Sequence, residues 1–176
     1  MATCLYCKQE IPAQSEFCMH CGQKQAIKYT QVFQRGKMNE DEFIAQINAW
    51  FAQYPTVANV KATFKLHDAV GLLVNKKVLD SVAIEYEVFK SPNQNQYAIV
   101  NLEKFGFHNT SEEAMLAKWQ ESNPGAKIIS KGGGAWMRGQ SGSLMLNGFL
   151  ASNRRQIYIL FKFDRNLGPA VTPPQR

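Results

Sequence analysis

The sequence predicts an α+β protein: a small cysteine-bearing N-terminal module followed by an antiparallel β-sheet domain with two helices. Three observations predict it. All four cysteines fall in the first two dozen residues, as Cys4-x2-Cys7 and Cys18-x2-Cys21. Two stretches, opening at Asn39 and at Thr110, carry apolar residues at helical spacing behind a capping residue. Between and after them the apolar period drops to two, which marks strands with one buried face.

Composition bounds the answer without naming a function. The 176 residues are 45% hydrophobic and 19% charged, enough for one ordinary core plus an appendage. The formal charge of +6 is uneven: +3 over residues 1–37, −2 over 38–110 and +5 over 111–176. Basic ends favour polyanions without requiring them, and nowhere do four basic residues adjoin to make a nucleic-acid arm. No apolar run is long enough to span a bilayer as a helix. The first 25 residues lack the basic start and apolar core of a secretory signal. Cysteines grouped as CxxC pairs, with none left over for a disulfide, suit a reducing compartment, so a cytoplasmic location is expected.

The cysteine cluster carries the clearest chemistry. Each CxxC turn presents two thiolates, and two such knuckles across a ten-residue loop supply four soft ligands at tetrahedral corners, the set Zn2+ takes. The competing readings are a redox dithiol pair or free thiols; two knuckles without an unpaired cysteine favour the metal. Four thiolates fill the coordination sphere, so the zinc is expected to be structural, with no position open to water or substrate. His20, inside the second knuckle, is expected at the surface. Gly22 suits the turn after the last ligand, where a missing Cβ lets amides face the sulfur. The pattern C-x2-C-K-x2-I-x5-F-C-x2-C-G, over residues 4–23, resembles the short zinc-ribbon domains at the N-termini of many bacterial and archaeal proteins. That resemblance implies that Cys4, Cys7, Cys18 and Cys21 bind zinc; Lys8 departs from it, standing where glycine is usual.

The remaining elements follow in order. Residues 1–24 form the ribbon, 25–38 read as a polar linker, 39–165 as the α+β domain and 166–176 as a disordered, proline-bearing tail. Asn39 caps a helix whose first turn is Glu40-Asp41-Glu42. Phe43, Ile44, Ile47, Trp50, Phe51 and Tyr54 line one face, and Pro55 ends it. Val60 to Leu66, Val70 to Val74, Val82 to Val88 and Tyr97 to Leu102 then read as a meander, with Ser91 to Asn95 as a turn. Thr110 opens a second helix, with Glu113 completing its capping box, and Asn123-Pro124-Gly125 closes it. Lys127 to Lys131, Leu144 to Ala151 and Gln156 to Phe163 read as strands, the last two joined by Ser152 to Arg155. Both helices are expected on one face of the sheet.

Gly132 to Gly142 reads as a mobile loop. Its Gly134 to Ser141 matches G-x4-G-x-[ST], but Gln140 replaces the lysine of a phosphate cradle and a strand follows where a helix should start. The loop is expected to carry Trp136 and Arg138, an aromatic and cationic pair suited to a partner surface, although Trp136 alternatively folds back onto the sheet. His20, His67 and His108 are scattered and no hydrolase motif occurs, while Glu85 and Glu87 alternate with apolar residues as on a solvated sheet face. The expected function is therefore a zinc-stabilised, non-enzymatic intracellular protein. Its ribbon and β-domain would bind another macromolecule, with protein as the expected partner. The alternative is a nucleic-acid-binding or transcription-associated factor, in which Tyr6, Lys8, Lys24 and Lys28 meet phosphates. An enzyme with its site in the β-domain is the third reading.

Overall fold

The computed structural model describes residues 1–4, 6–12, 15–24, 28–70, 75–89, 92–105, 111–137 and 153–167. Two short strands, β1 (Ala2–Thr3) and β2 (Glu10–Ile11), pair antiparallel in the cysteine module. The larger part contains β3 (Lys28–Gln34), α1 (Glu40–Gln53), β4 (Val57–Val70), β5 (Asn75–Val88), β6 (Asn95–Asn101), α2 (Glu112–Ser122), β7 (Ala126–Met137) and β8 (Asn153–Asp164). Short 3-10 turns follow β6 and β8.

These elements form one unit used twice. The first three-stranded sheet runs β3-β5-β4 and the second β6-β8-β7, all antiparallel, with a helix between the first two strands of each unit. Both opening strands have seven residues and pair along their whole length with the third strand, Lys28↔Glu87 and Asn95↔Asp164 at one end. Each helix has a tryptophan four residues before its C-cap and a proline just after it: Trp50, Tyr54 and Pro55, then Trp119, Asn123 and Pro124.

Local chemistry sets the helix ends. Asn39 and Glu42 form a reciprocal capping box, satisfying two amides that the first turn leaves unpaired. In α2 the cap is Ser111, whose hydroxyl accepts from the Ala114 amide. Thr110, the cap expected from sequence, lies outside the described residues, and Ser111 is one residue closer to the first helical turn.

Packing places the units in layers. Phe43, Ile47 and Phe51 of α1 are buried against Val82 and Ile84 of β5, and also against Tyr97, Ile99, Tyr158 and Leu160 of the second sheet. On the other face of that sheet, Ile157, Ile159, Phe161 and Phe163 meet Met115 and Trp119 of α2. Thus β8 is buried on both faces, which is why Ile157–Phe163 reads as an apolar run rather than an alternation. The helices therefore do not share one face of one sheet, as the sequence suggests; each covers the matching face of its own sheet.

Four further differences have physical causes. Lys28–Gln34, expected as linker, is β3, and it occupies the side of β5 that a meander would leave for β6. β6 consequently pairs with β8. Gly132 to Met137 is not loop but the second half of β7, paired from Gly132↔Tyr158 to Met137↔Asn153, so Asn153 to Arg155 are strand as well. Glycine is needed there for approach: a Cβ on Gly132 would lie 2.7 Å from the Cβ of Phe64, and one on Gly133 would overlap the Gln156 carbonyl. The expected strand Leu144 to Ala151, residues 71–74, His108 and 168–176 of the tail lie outside the described residues.

Polar groups join the units. The Asn48 amide donates to the Ile99 carbonyl at 3.0 Å and accepts the Ile99 N–H at 2.7 Å, replacing a missing strand along the edge of β6. The Glu40 carboxylate accepts from Asn101 at 2.7 Å, Tyr158 at 2.6 Å and Gln156 at 3.1 Å. Burial, with the Glu40 charge beside it, holds the Tyr158 phenol protonated far above its ordinary range. Tyr158→Phe should lower unfolding free energy by about 2 kcal/mol, because a part-buried carboxylate loses a donor. Asn48→Ala should cost about 1–3 kcal/mol by stranding the Ile99 amide and carbonyl. Urea midpoints at constant m-value check both.

Candidate metal centre

Among its described residues the cysteine module has almost no apolar core to hold it together. Its buried hydrophobic cluster consists of Cys4, Ile11 and Cys18, with Cys7 packed against them, whereas Phe17 is 51% exposed. Two knuckles of the same design make up the rest. In each, the amide after the second cysteine donates to the carbonyl of the first: Lys8 to Cys4 at 3.1 Å and Gly22 to Cys18 at 2.8 Å. The first cysteine's own amide donates to the carbonyl one residue further on, Cys4 to Gln9 and Cys18 to Gln23, both at 2.8 Å. The β1–β2 pair flanks the first knuckle and a Phe17–Lys24 bridge flanks the second.

This geometry brings the four Sγ atoms within 4.8 Å of one another. Cys4 and Cys21 are 3.7 Å apart, and Cys7 and Cys18 are 3.5 Å apart. A disulfide needs about 2.05 Å, and all four cysteines are free thiols. The edge of a tetrahedron with metal–sulfur bonds of about 2.3 Å is about 3.8 Å, so the spacing fits a tetrahedral, thiolate-bound ion. Cys4, Cys7, Cys18 and Cys21 can thus hold a metal ion, as their sequence spacing suggests. Amides already point at the sulfurs: Tyr6 and Cys7 N–H lie 3.4 Å from Cys4 Sγ, and His20 N–H lies 3.3 Å from Cys18 Sγ.

Electrostatics set what a bound ion would have to do. Burial opposes ionisation of Cys4, yet the Cys7 and Tyr6 amides and the neighbouring thiols bring its pKa down to about 6. For Cys7 the Gln9 amide favours the thiolate, but burial and the three other sulfurs push it up to about 12. Cys21 is pulled down by the Gln23 amide and raised on balance by burial and by Cys18. One thiolate is easily formed and four together are not, so a metal cation bound here would have to draw off the remaining protons.

The other expected site residues are not gathered into this centre. His20 is exposed, with its ring nitrogen 3.2 Å from the Glu10 carbonyl. Tyr6, Lys8, Lys24 and Lys28 are exposed. Trp136 lies in β7 opposite Arg154, and Arg138 falls outside the described residues. The residue after each knuckle makes the turn that the sequence suggests for Gly22. Lys8 has φ 62° and Gly22 φ 69°, so both occupy the left-handed region that disfavours side chains.

No protein-family model matches the chain, and neither the curated proteins nor the solved structures contain a significant match to it.

Gly22 has open space where a Cβ would go, so Gly22→Ala tests backbone strain alone. It should cost about 1 kcal/mol, read as roughly fivefold weaker metal affinity in competition with a chromophoric chelator. Lys8→Gly should tighten binding, by less than that factor, because glycine also adds freedom to the unbound chain.

Proposed function

We propose that the cysteine module is a structural zinc ribbon and that the protein is non-enzymatic, binding another protein through its ribbon and β-domain. The observation that carries the first part is the donor set: four sulfurs at tetrahedral spacing leave a bound zinc no open coordination position. Zinc then supplies the folding free energy that one buried isoleucine cannot, and performs no chemistry.

Charge and exposure support a protein partner for the ribbon. Residues 1–24 carry Lys8 and Lys24 against Glu10 and Glu16, and four thiolates on a dication add a formal −2. A loaded ribbon is therefore a poor phosphate ligand despite its exposed lysines. It presents apolar side chains instead, with Tyr6 63%, Phe17 51% and Met19 77% exposed. Tyr6 and Met19 come from the tips of the two knuckles, where zinc would hold them rigidly enough to anchor a contact.

Purified chain should hold one equivalent of zinc, with all four thiols protected until a chelator removes it. A substoichiometric metal content after reduction overturns the zinc assignment. For the partner, the zinc-loaded full chain carrying a photo-cross-linker at Met19 is exposed to a lysate of its native cell. The expected result is a discrete protein adduct that Tyr6→Ala reduces about tenfold. Adducts to nucleic acid that vanish with added salt, and none to protein, would replace this reading with the nucleic-acid one.

A further inference from the structure

Among the described residues, three of the four outer strands of the two sheets bond beyond their own sheet: Asn48 bridges β6 at Ile99, and β4 and β7 meet where the Ala62 amide donates to Ser130 Oγ at 3.1 Å. β3 differs. It is paired with β5 from Lys28 to Gln34 without a bulge, and among the described residues no strand is paired to its other side. Natural edges of this kind are protected by lysines, prolines or bulges. In β3 charge stands only at the ends, Lys28 and the following Arg35; between them Tyr29 to Gln34 has no lysine, proline or bulge, and Tyr29, Thr30, Val32 and Phe33 are strong strand formers. Tyr29 is 43% exposed and Val32 49% exposed. On the helix side, Tyr29 stacks on Tyr86 and Phe33 meets Trp50 edge-on, so an aromatic row runs along the open edge.

We propose that β3 pairs with β3 of a second copy of this chain, antiparallel and centred on Gln31, to make one six-stranded sheet across a two-fold axis. The strand is complementary to itself in that register. Tyr29 falls opposite Phe33 on the helix side, Thr30 opposite Val32 on the open side, and Lys28 opposite Gln34. Aromatic and β-branched cross-strand pairs of this kind are the favourable ones, and no like charges oppose each other. Moving the register by one residue sets helix-side residues against open-face residues. Moving it by two sets Tyr29 against Gln31 or Arg35. The seven residues span about 24 Å, which makes a small interface, below about 1,200 Å². The dimer is therefore concentration-dependent. It does not rest on the ribbon's partner, since β3 lies outside the knuckles.

Sedimentation equilibrium of the zinc-loaded full chain from about 5 to 500 µM tests this, with two double variants at exposed positions. T30K/V32K sets four lysines against one another across the axis, whereas T30K/V32E sets opposite charges against one another. The expected result is a wild-type monomer–dimer equilibrium, at least tenfold weaker in T30K/V32K and retained in T30K/V32E, with unchanged circular dichroism. A wild-type monomer throughout the range overturns the proposal. So does a dimer that T30K/V32K leaves intact, or one that both variants abolish. Zinc content read on the same samples keeps this result separate from the ribbon assignment.

Discussion

The burial of β8 on both faces is the constraint from which the rest of the β-domain follows. Its residues Gln156 to Phe161 are all buried, so apolar matter must lie above and below it. α2 supplies one cover, being the helix of the same unit. The other must come from elsewhere, and the first unit provides it with α1 and the inner face of β4 and β5. Stacking one βαββ unit on another is thus the packing solution for a strand with no solvent face. The polar bridges at Asn48 and Glu40 then fix how the units sit, because each leaves an unpaired buried group if the stack slips.

The same logic accounts for the polar outer faces of the two units among the described residues. The face of the first sheet that corresponds to the buried Tyr158 and Leu160 carries Lys61, Thr63, Lys65, Glu85 and Glu87, and it alternates cleanly with the core residues. A third unit would have to desolvate those charges. At the other end, the outer surface of α2 offers Glu113, Lys118 and Glu121. Both ends are polar, as terminal units of a stacked array must be. Among the described residues, what this leaves unpaired is a strand edge, that of β3, not a face.

Much of this was legible in the sequence and some was not, for identifiable reasons. α1 was readable because Asn39, Glu42 and Pro55 mark its ends and Phe43, Ile47 and Phe51 its buried face. The metal site was readable because ligand spacing within a knuckle is local and needs no tertiary knowledge. β3 was missed because Lys28–Gln34 alternates lysine, threonine and glutamine with few aliphatics, the pattern of an edge with little to bury. The glycines after Lys131 were taken for a loop because Gly usually breaks strands; here the side chain of Phe64 fills the space a Cβ would need. The repeated unit escaped because its loops differ in length, so no fixed period survives. The signal that finds it is Trp-x4-Pro, which closes both helices at Trp50–Pro55 and Trp119–Pro124.

The two parts of the chain also differ in what holds them and what they offer. The β-domain is stabilised by its own apolar clusters, and residues 25–176 carry the entire formal charge of +6. The cysteine module has a small apolar cluster and four thiols that could hold a metal ion, and with zinc bound it would be formally anionic. The β-domain is cationic, with a strand edge that is unpaired among the described residues; the cysteine module is small, would be anionic with zinc bound, and is tipped with Tyr6 and Met19. A single polyanion would be drawn to the first and repelled by the second, so it would engage the chain at one end only. Partners that use both parts must combine chemistries. A protein with an apolar pocket for the knuckle tips meets that requirement more readily than a uniformly charged strand of nucleic acid.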